Sequence, residues 1–150
     1  MNTAELSHIL TSVSPQTWNV GVFARDEFAE AKLTTSMKSK QKQKCMFICN
    51  TDCSYKPGRH WVVLCIDGQG KNTYFDSYGL PPFHKEFSTF LNKNYVYNDI
   101  QLQEPFTTVC GHYCILFARY MFAGYSIEEI IDKLEPYTDE EVKAIFLQKL

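Results

Sequence analysis

Apolar positions along this chain fall into blocks, and the spacing inside the blocks separates strands from helices. Residues 45–49 (CMFIC) and 60–66 (HWVVLCI) are nearly continuous apolar runs of strand length, with no alternation. The first reads as a buried strand and the second as an apolar, β-branched strand. Asp67-Gly-Gln-Gly is turn chemistry, and residues 73–76 (TYFD) read as a strand again, so the pair predicts a β-hairpin. A turn over residues 67–69 places Thr73 opposite Val63 and Asp76 opposite His60. Residues 95–103, aromatic and β-branched, suit a further strand, and residues 20–23 form a short apolar stretch.

The helical blocks differ. Residues 110–122 (CGHYCILFARYMF) are apolar for most of a helix-length run, which predicts a buried helix. Ser126-Ile-Glu-Glu and Thr138-Asp-Glu-Glu are capping-box patterns that open two more. Shorter helical patterns cover residues 85–91, 26–33 and 4–10, the last with Thr3 as N-cap. Residues 50–58, 80–82 and 105–109 read as loops. The expected class is α+β, a single domain over residues 1–150 with helices segregated to the C-terminal part.

Composition narrows the class. The chain has 150 residues, 45% of them hydrophobic and 15% aromatic, which excludes a disordered chain. A domain of this size buries roughly 68–70% of its unfolded surface, so disulfides or metal are not needed to hold it. No apolar run approaches the ~20 residues of a membrane span, and residues 1–10 lack the basic and apolar regions of a signal peptide. The expectation is an intracellular domain with its six cysteines reduced and no membrane association. The net charge of −2 argues against a nucleic-acid glove. The basic feature is a comb of Lys38, Lys40, Lys42 and Lys44, read either as a solvated loop or edge strand or as a weak nucleic-acid contact.

Four residues carry candidate chemistry. A carboxylate at Asp76 beside His60 would fix the imidazole tautomer and raise its basicity. Cys110 begins the apolar helix, where the positive end of the helix dipole lowers a thiol pKa; the alternative is a buried small hydrophobe. Gly111 removes a Cβ where a substrate backbone approaches. Gln103, seven residues before Cys110, is a neutral donor suited to a developing oxyanion. Cys45, Cys49 and Cys53 are evenly spaced but lack the CxxC pairs of a zinc site, so no metal is expected. Cys65 and Cys114 read as core, and His8 and His84 have no evident partner.

The ordered set His60-Trp61, Asp76, Gln103, Cys110-Gly111 resembles the adenain-like cysteine proteases, which include the adenovirus endopeptidase and relatives in other DNA viruses and Polinton/Maverick elements. Gly58-Arg-His-Trp resembles that family's Gly-x-His-Trp strand, residues 74–79 (YFDSYG) its acid-bearing strand, and residues 109–114 (VCGHYC) its nucleophile helix. The resemblance covers residues 58–124, and Gly21-Val-Phe-Ala24 echoes an N-terminal family segment. It implies a papain-like cysteine protease fold of the adenain or ubiquitin-like-protease type, a central mixed sheet with the nucleophile helix packed on it. It implies Cys110 as nucleophile, His60 as general base, Asp76 as its orienting acid, Gln103 as oxyanion donor, and Trp61 packed beside the imidazole or filling core.

By that resemblance the chain is a thiol endopeptidase that cleaves after glycine-containing motifs. Its substrates would be capsid or core precursor proteins of a virus or transposon, met in the host nucleus or cytoplasm and the virion. No cofactor is required for the chemistry, and an activating peptide or DNA is left open. No cysteine lies between Cys65 and Cys110, so the disulfide tether that the adenovirus enzyme uses for a peptide cofactor does not carry over. A monomer is expected. The rival readings are a protease for ubiquitin-like modifiers and a non-catalytic interaction domain that keeps the fold.

Overall fold

The computed structural model describes residues 1–32, 44–67, 71–92 and 94–148. Lys38, Lys40, Lys42 and the hairpin turn residues 68–70 lie outside the described residues. In chain order the elements are α1 (Thr3–Val13), β1 (Asn19–Phe23), α2 (Arg25–Lys32), β2 (Lys44–Asn50), β3 (Trp61–Asp67), β4 (Asn72–Phe75), α3 (Lys85–Leu91), β5 (Tyr95–Tyr97), α4 (Cys110–Phe122), α5 (Ile127–Leu134) and α6 (Asp139–Gln148).

The five strands form one mixed sheet in the order β1-β2-β3-β4-β5. The outer pairs, β1–β2 and β4–β5, are parallel; the inner pairs are antiparallel. Helices cover both faces, which explains why β2 and β3 are apolar without alternation. Met46, Ile48, Val63, Cys65 and Phe75 face a core shared with α1, α4, α5 and α6. Cys45, Phe47, Cys49, Val62, Leu64 and Tyr74 face a second core shared with α2 and α3, where Phe28 packs edge-on to Phe90 at 5.0 Å. The α+β class and the mixed sheet with a helix packed on it are as the sequence implies. Cys65 and Cys114 are core, as expected. Lys44 opens β2, a central strand and not an edge, with its ammonium 5.6 Å from the Trp18 ring centroid.

Three local expectations need correction. The N-cap of α1 is Asn2, not Thr3: Asn2 Oδ1 accepts from the Glu5 backbone N–H at 2.9 Å, and Glu5 Oε2 accepts from the Asn2 N–H at 3.3 Å. Only from position 2 does a glutamate fall at the third helical residue, which completes the box. The hairpin register is shifted by two: Val63 pairs with Phe75 and Cys65 with Thr73. The Asp67 N–H reaches the Lys71 carbonyl, so Asp67 still belongs to the paired strand. A shift of two preserves side-chain parity, and His60 and Asp76 still meet, as diagonal neighbours rather than an opposed pair.

The third correction concerns residues 95–103, of which only Tyr95–Tyr97 joins the sheet. Asn98 turns the chain away. Its side chain replaces the ladder, accepting from the Asp76 N–H at 3.0 Å and donating to the Asp76 carbonyl at 2.6 Å. The Leu102 and Gln103 N–H groups then both donate to the Ser77 carbonyl, at 2.8 and 2.9 Å. Gly79, at φ 74°, permits this close approach: a Cβ there would lie 2.7 Å from the Ile100 carbonyl carbon. In this way the segment carrying Gln103 is stitched to the segment carrying Asp76.

Candidate active site

β3 begins at Trp61, so His60 sits at the strand's mouth, and Asp76 directly follows β4. His60 Nε2 donates to Asp76 Oδ1 at 2.7 Å, with both side chains largely buried. The Asp76 carboxylate is itself fixed, since Oδ1 also accepts from the Tyr78 N–H at 2.8 Å. Cys110 is the first residue of α4, 7% exposed, and it hydrogen-bonds His60. With Nε2 committed to Asp76, Nδ1 is the ring nitrogen that faces the thiol.

The sulfur also lies against the backbone N–H groups of Trp61 and Gly111. The Gly111 N–H is one of the donors that a helix N-terminus leaves unsatisfied, and no acidic residue occupies the first turn of α4 to compete for it. Burial pushes the Cys110 thiol up, but the His60 hydrogen bond and these N–H groups outweigh it, so the net pKa falls below 9.0. Burial likewise pulls His60 down, and the hydrogen bonds to Asp76 and then Cys110 reverse that, raising it to about 9. Cys114, one helical turn further on, shows the contrast. It is fully buried without such donors, and desolvation holds its thiol well above 9.0. The thiol of Cys110 is thus arranged for proton transfer to His60.

Gln103 is 1% exposed on the loop before α4. Its Oε1 accepts from the Ser77 hydroxyl at 2.6 Å, and its Nε2 donates to the Thr107 carbonyl and hydroxyl at 3.1 and 3.0 Å. The amide is therefore held in one orientation. Gly111 does not open space for a substrate: a Cβ there would meet Met1 Cε at 3.4 Å and Leu6 Cδ2 at 3.5 Å, so that face of the helix packs on α1. Trp61 is 7% exposed, with its indole N–H donating to the Met1 carbonyl at 3.1 Å. The ring stacked on the His60 imidazole is Tyr78, with centroids 4.7 Å apart and planes 28° apart. Sequence reasoning missed it. The signal was its place two residues after Asp76, just beyond the end of β4. A cleft of about 660 Å³ opens beside Trp61, walled by Met1, Glu5, Glu27, Asp52 and Lys56.

His84, for which no partner was evident, contacts Arg25: Nη1 donates to Nδ1 at 2.6 Å. Cys45 and Cys49 face the second core, and the thiol of Cys53 accepts from Arg25 Nη2 at 3.4 Å. The described residues contain no cluster of three metal-ligating side chains. No helix among them is long and apolar enough to cross a membrane.

No protein-family model and no curated protein sequence matches the chain. Among solved structures it is similar to the ASFV pS273R protease, with TM-score 0.66 and 19% identity over 95% of this chain and 64% of that chain. It is also similar to the central domain of an uncharacterized Lpg1148 protein from Legionella pneumophila, with TM-score 0.57 and 15% identity over 95% and 94% of the two chains. The mixed sheet with its helix placement is thus a fold that the chain shares with the pS273R protease. The chain spans less than two thirds of the length of the pS273R protease.

Proposed function

We propose that this domain is a cysteine endopeptidase in which Cys110, His60 and Asp76 form the triad and Gln103 the oxyanion donor. One observation carries the reading: Cys110 stands between the His60 imidazole and two backbone N–H groups, while Asp76 grips the other ring nitrogen at 2.7 Å. That arrangement gives a nucleophile, a base and an orienting acid in one contiguous set. His60 takes the thiol proton, and the sulfur attacks the scissile carbonyl. The carbonyl oxygen gathers negative charge, which the Gln103 amide and the Cys110 backbone N–H would stabilise. Imidazolium then donates its proton to the leaving amine and leaves a thioester. His60 next deprotonates a water that hydrolyses the thioester and releases the thiol.

The substrate side follows the resemblance to the adenain-like family: a glycine before the scissile bond, in structural precursor proteins of a virus or transposon. No cofactor enters these steps. Cys110→Ala is expected to abolish cleavage of glycine-containing peptides while circular dichroism and melting stay at wild-type values. Turnover retained in that variant would sink the assignment. Processing of a folded ubiquitin-like modifier in preference to short peptides would move the substrate class to the modifier proteases.

A further inference from the structure

Asp139 opens α6 and is 8% exposed, far along the chain from the triad. Its carboxylate gathers three donors. The Tyr113 hydroxyl lies 2.9 Å from Oδ1, the Thr107 hydroxyl 2.9 Å from Oδ2, and the Glu104 N–H 3.3 and 3.5 Å from the two oxygens. Two of these donors belong to the loop between Gln103 and Cys110. Part of this is structural: an acid in the first turn suits the helix dipole and pins α6 to the loop and to α4. The Thr107 contact adds something else.

The Thr107 hydroxyl has one hydrogen and two acceptors competing for it, Asp139 Oδ2 at 2.9 Å and the Glu104 carbonyl at 3.0 Å. A carboxylate is the stronger acceptor. With the hydrogen on Asp139, the hydroxyl oxygen turns its lone pairs to Gln103 Nε2 at 3.0 Å. The Thr107 carbonyl, which can only accept, holds the same nitrogen at 3.1 Å. Ser77 fixes the opposite end of the amide through Oε1 at 2.6 Å. The two Thr107 oxygens thus hold the Nε2 end of the amide and Ser77 the Oε1 end, which fixes its direction.

We infer that Asp139 is a positioning residue, acting through Thr107 to fix the direction in which the Gln103 amide points. The inference rests on the reading of Gln103 as the oxyanion donor. Removing the carboxylate leaves the Glu104 carbonyl as the acceptor of the Thr107 hydrogen, which turns the hydroxyl lone pairs away from the direction that holds Gln103 Nε2 and weakens the preorganisation that makes such a donor effective.

The test uses Asp139→Ala, the near-isosteric Thr107→Val and, as structural control, Tyr113→Phe, which removes the hydroxyl from Asp139 Oδ1 and from the Leu102 carbonyl but leaves the Thr107 contact. Asp139→Ala and Thr107→Val are expected to lose about tenfold in kcat, a fraction of what deleting an oxyanion donor costs. Their KM and the rate of Cys110 alkylation by iodoacetamide stay within about twofold, since binding and the thiolate pair are untouched. Tyr113→Phe keeps at least about half the wild-type kcat on the same reasoning. Wild-type kcat in Thr107→Val, an equal loss in Tyr113→Phe, or alkylation falling in step with kcat would overturn the inference. If the wild type cleaves no peptide, the peptidase reading fails separately, and the Gln103 side chain decides. Gln103 Nε2 proton shifts and slow solvent exchange in the wild type that move toward those of a free side-chain amide in Asp139→Ala and Thr107→Val support the inference. Identical spectra in all of them reject it.

Discussion

Two histidines in this molecule each have a charged side chain, an aromatic ring and a cysteine nearby, and they are driven in opposite directions. His60 bonds the Asp76 carboxylate, stacks on Tyr78 and faces Cys110. His84 bonds the Arg25 guanidinium, meets Phe87 edge-on at 5.9 Å, and shares Arg25 with Cys53. Burial opposes the charged form of both. At His60 the carboxylate and the thiolate reverse that, and the pKa rises to about 9. At His84 Arg25 adds to it, and the pKa falls below 6.5. A guanidinium has no lone pair to accept with, so His84 Nδ1 must stay unprotonated. Its place at the N-cap of α3, the positive end of a helix, works in the same direction. A histidine beside a cysteine is therefore no sign of catalysis; the charge on the third partner decides.

The largest effect that would break this comparison is on thiol reactivity. Replacing His60 by alanine removes the group that offsets burial of Cys110, so alkylation of Cys110 near pH 6 is expected to slow by at least about tenfold. His84→Ala leaves every cysteine's alkylation rate within about twofold, because Arg25 and not His84 contacts Cys53. Mass spectrometry of each cysteine against pH reads both. Equal slowing in the two variants, or wild-type labelling of Cys110 no faster than of Cys114, would remove the distinction.

Stability against pH gives the next largest contrast, with opposite signs. His60 is raised, so its contribution is complete below about 6.5 and is lost as pH rises through about 9. His84 is depressed, so its contribution is complete above about 6.5 and is lost as pH falls through its folded value. In urea titrations, the stability difference between wild type and His60→Gln should therefore shrink between about pH 8 and pH 10. The difference between wild type and His84→Gln should shrink as pH falls below about 6.5. Differences of the same sign of slope would contradict the assigned partners.

The two histidine sites also differ in how far the sequence discloses them. The helix at residues 110–122 is legible from its length and apolar content, the helices that follow Ser126 and Thr138 from their capping boxes, and the strand at 60–66 because burial on both faces leaves a continuous apolar run. His60, Asp76 and Cys110 could be singled out because a family pattern orders them. The parts that stayed hidden depend on single side chains reaching across the fold. Asn98 ends β5 by bonding the Asp76 backbone, and nothing in the local aromatic, β-branched pattern announces it. Arg25 meets His84 across 59 residues. Asp139 reaches Thr107 across 32. The hairpin register failed for a different reason: with glycines on both sides of Gln69, the turn centre is free to move by one residue, and each such step shifts the pairing by two.

The smallest expected effect sharpens the comparison at the aromatic ring. Tyr78 lies nearly parallel to the His60 imidazole, whereas Phe87 meets His84 edge-on at 84°. A ring face carries negative charge density and favours a cation above it, so Tyr78 adds to the stabilisation of imidazolium; a ring edge does not. The ring, and not the hydroxyl, is what matters. Tyr78→Phe should match the wild type in kcat and in its pH profile. Tyr78→Ala keeps the backbone N–H on Asp76 but loses the stack, which is worth about 0.5–1.5 kcal/mol, or roughly twofold to tenfold in kcat. The alkaline limb of its profile should also move to lower pH, because less holds the proton on His60. The same alanine substitution at Phe87 should leave kcat alone and lower the melting temperature, since that ring is fully buried in the second core. A Tyr78→Phe variant as impaired as Tyr78→Ala would shift the role from the ring to the phenol, whose pKa burial and the neighbouring Cys110 and Asp76 already raise.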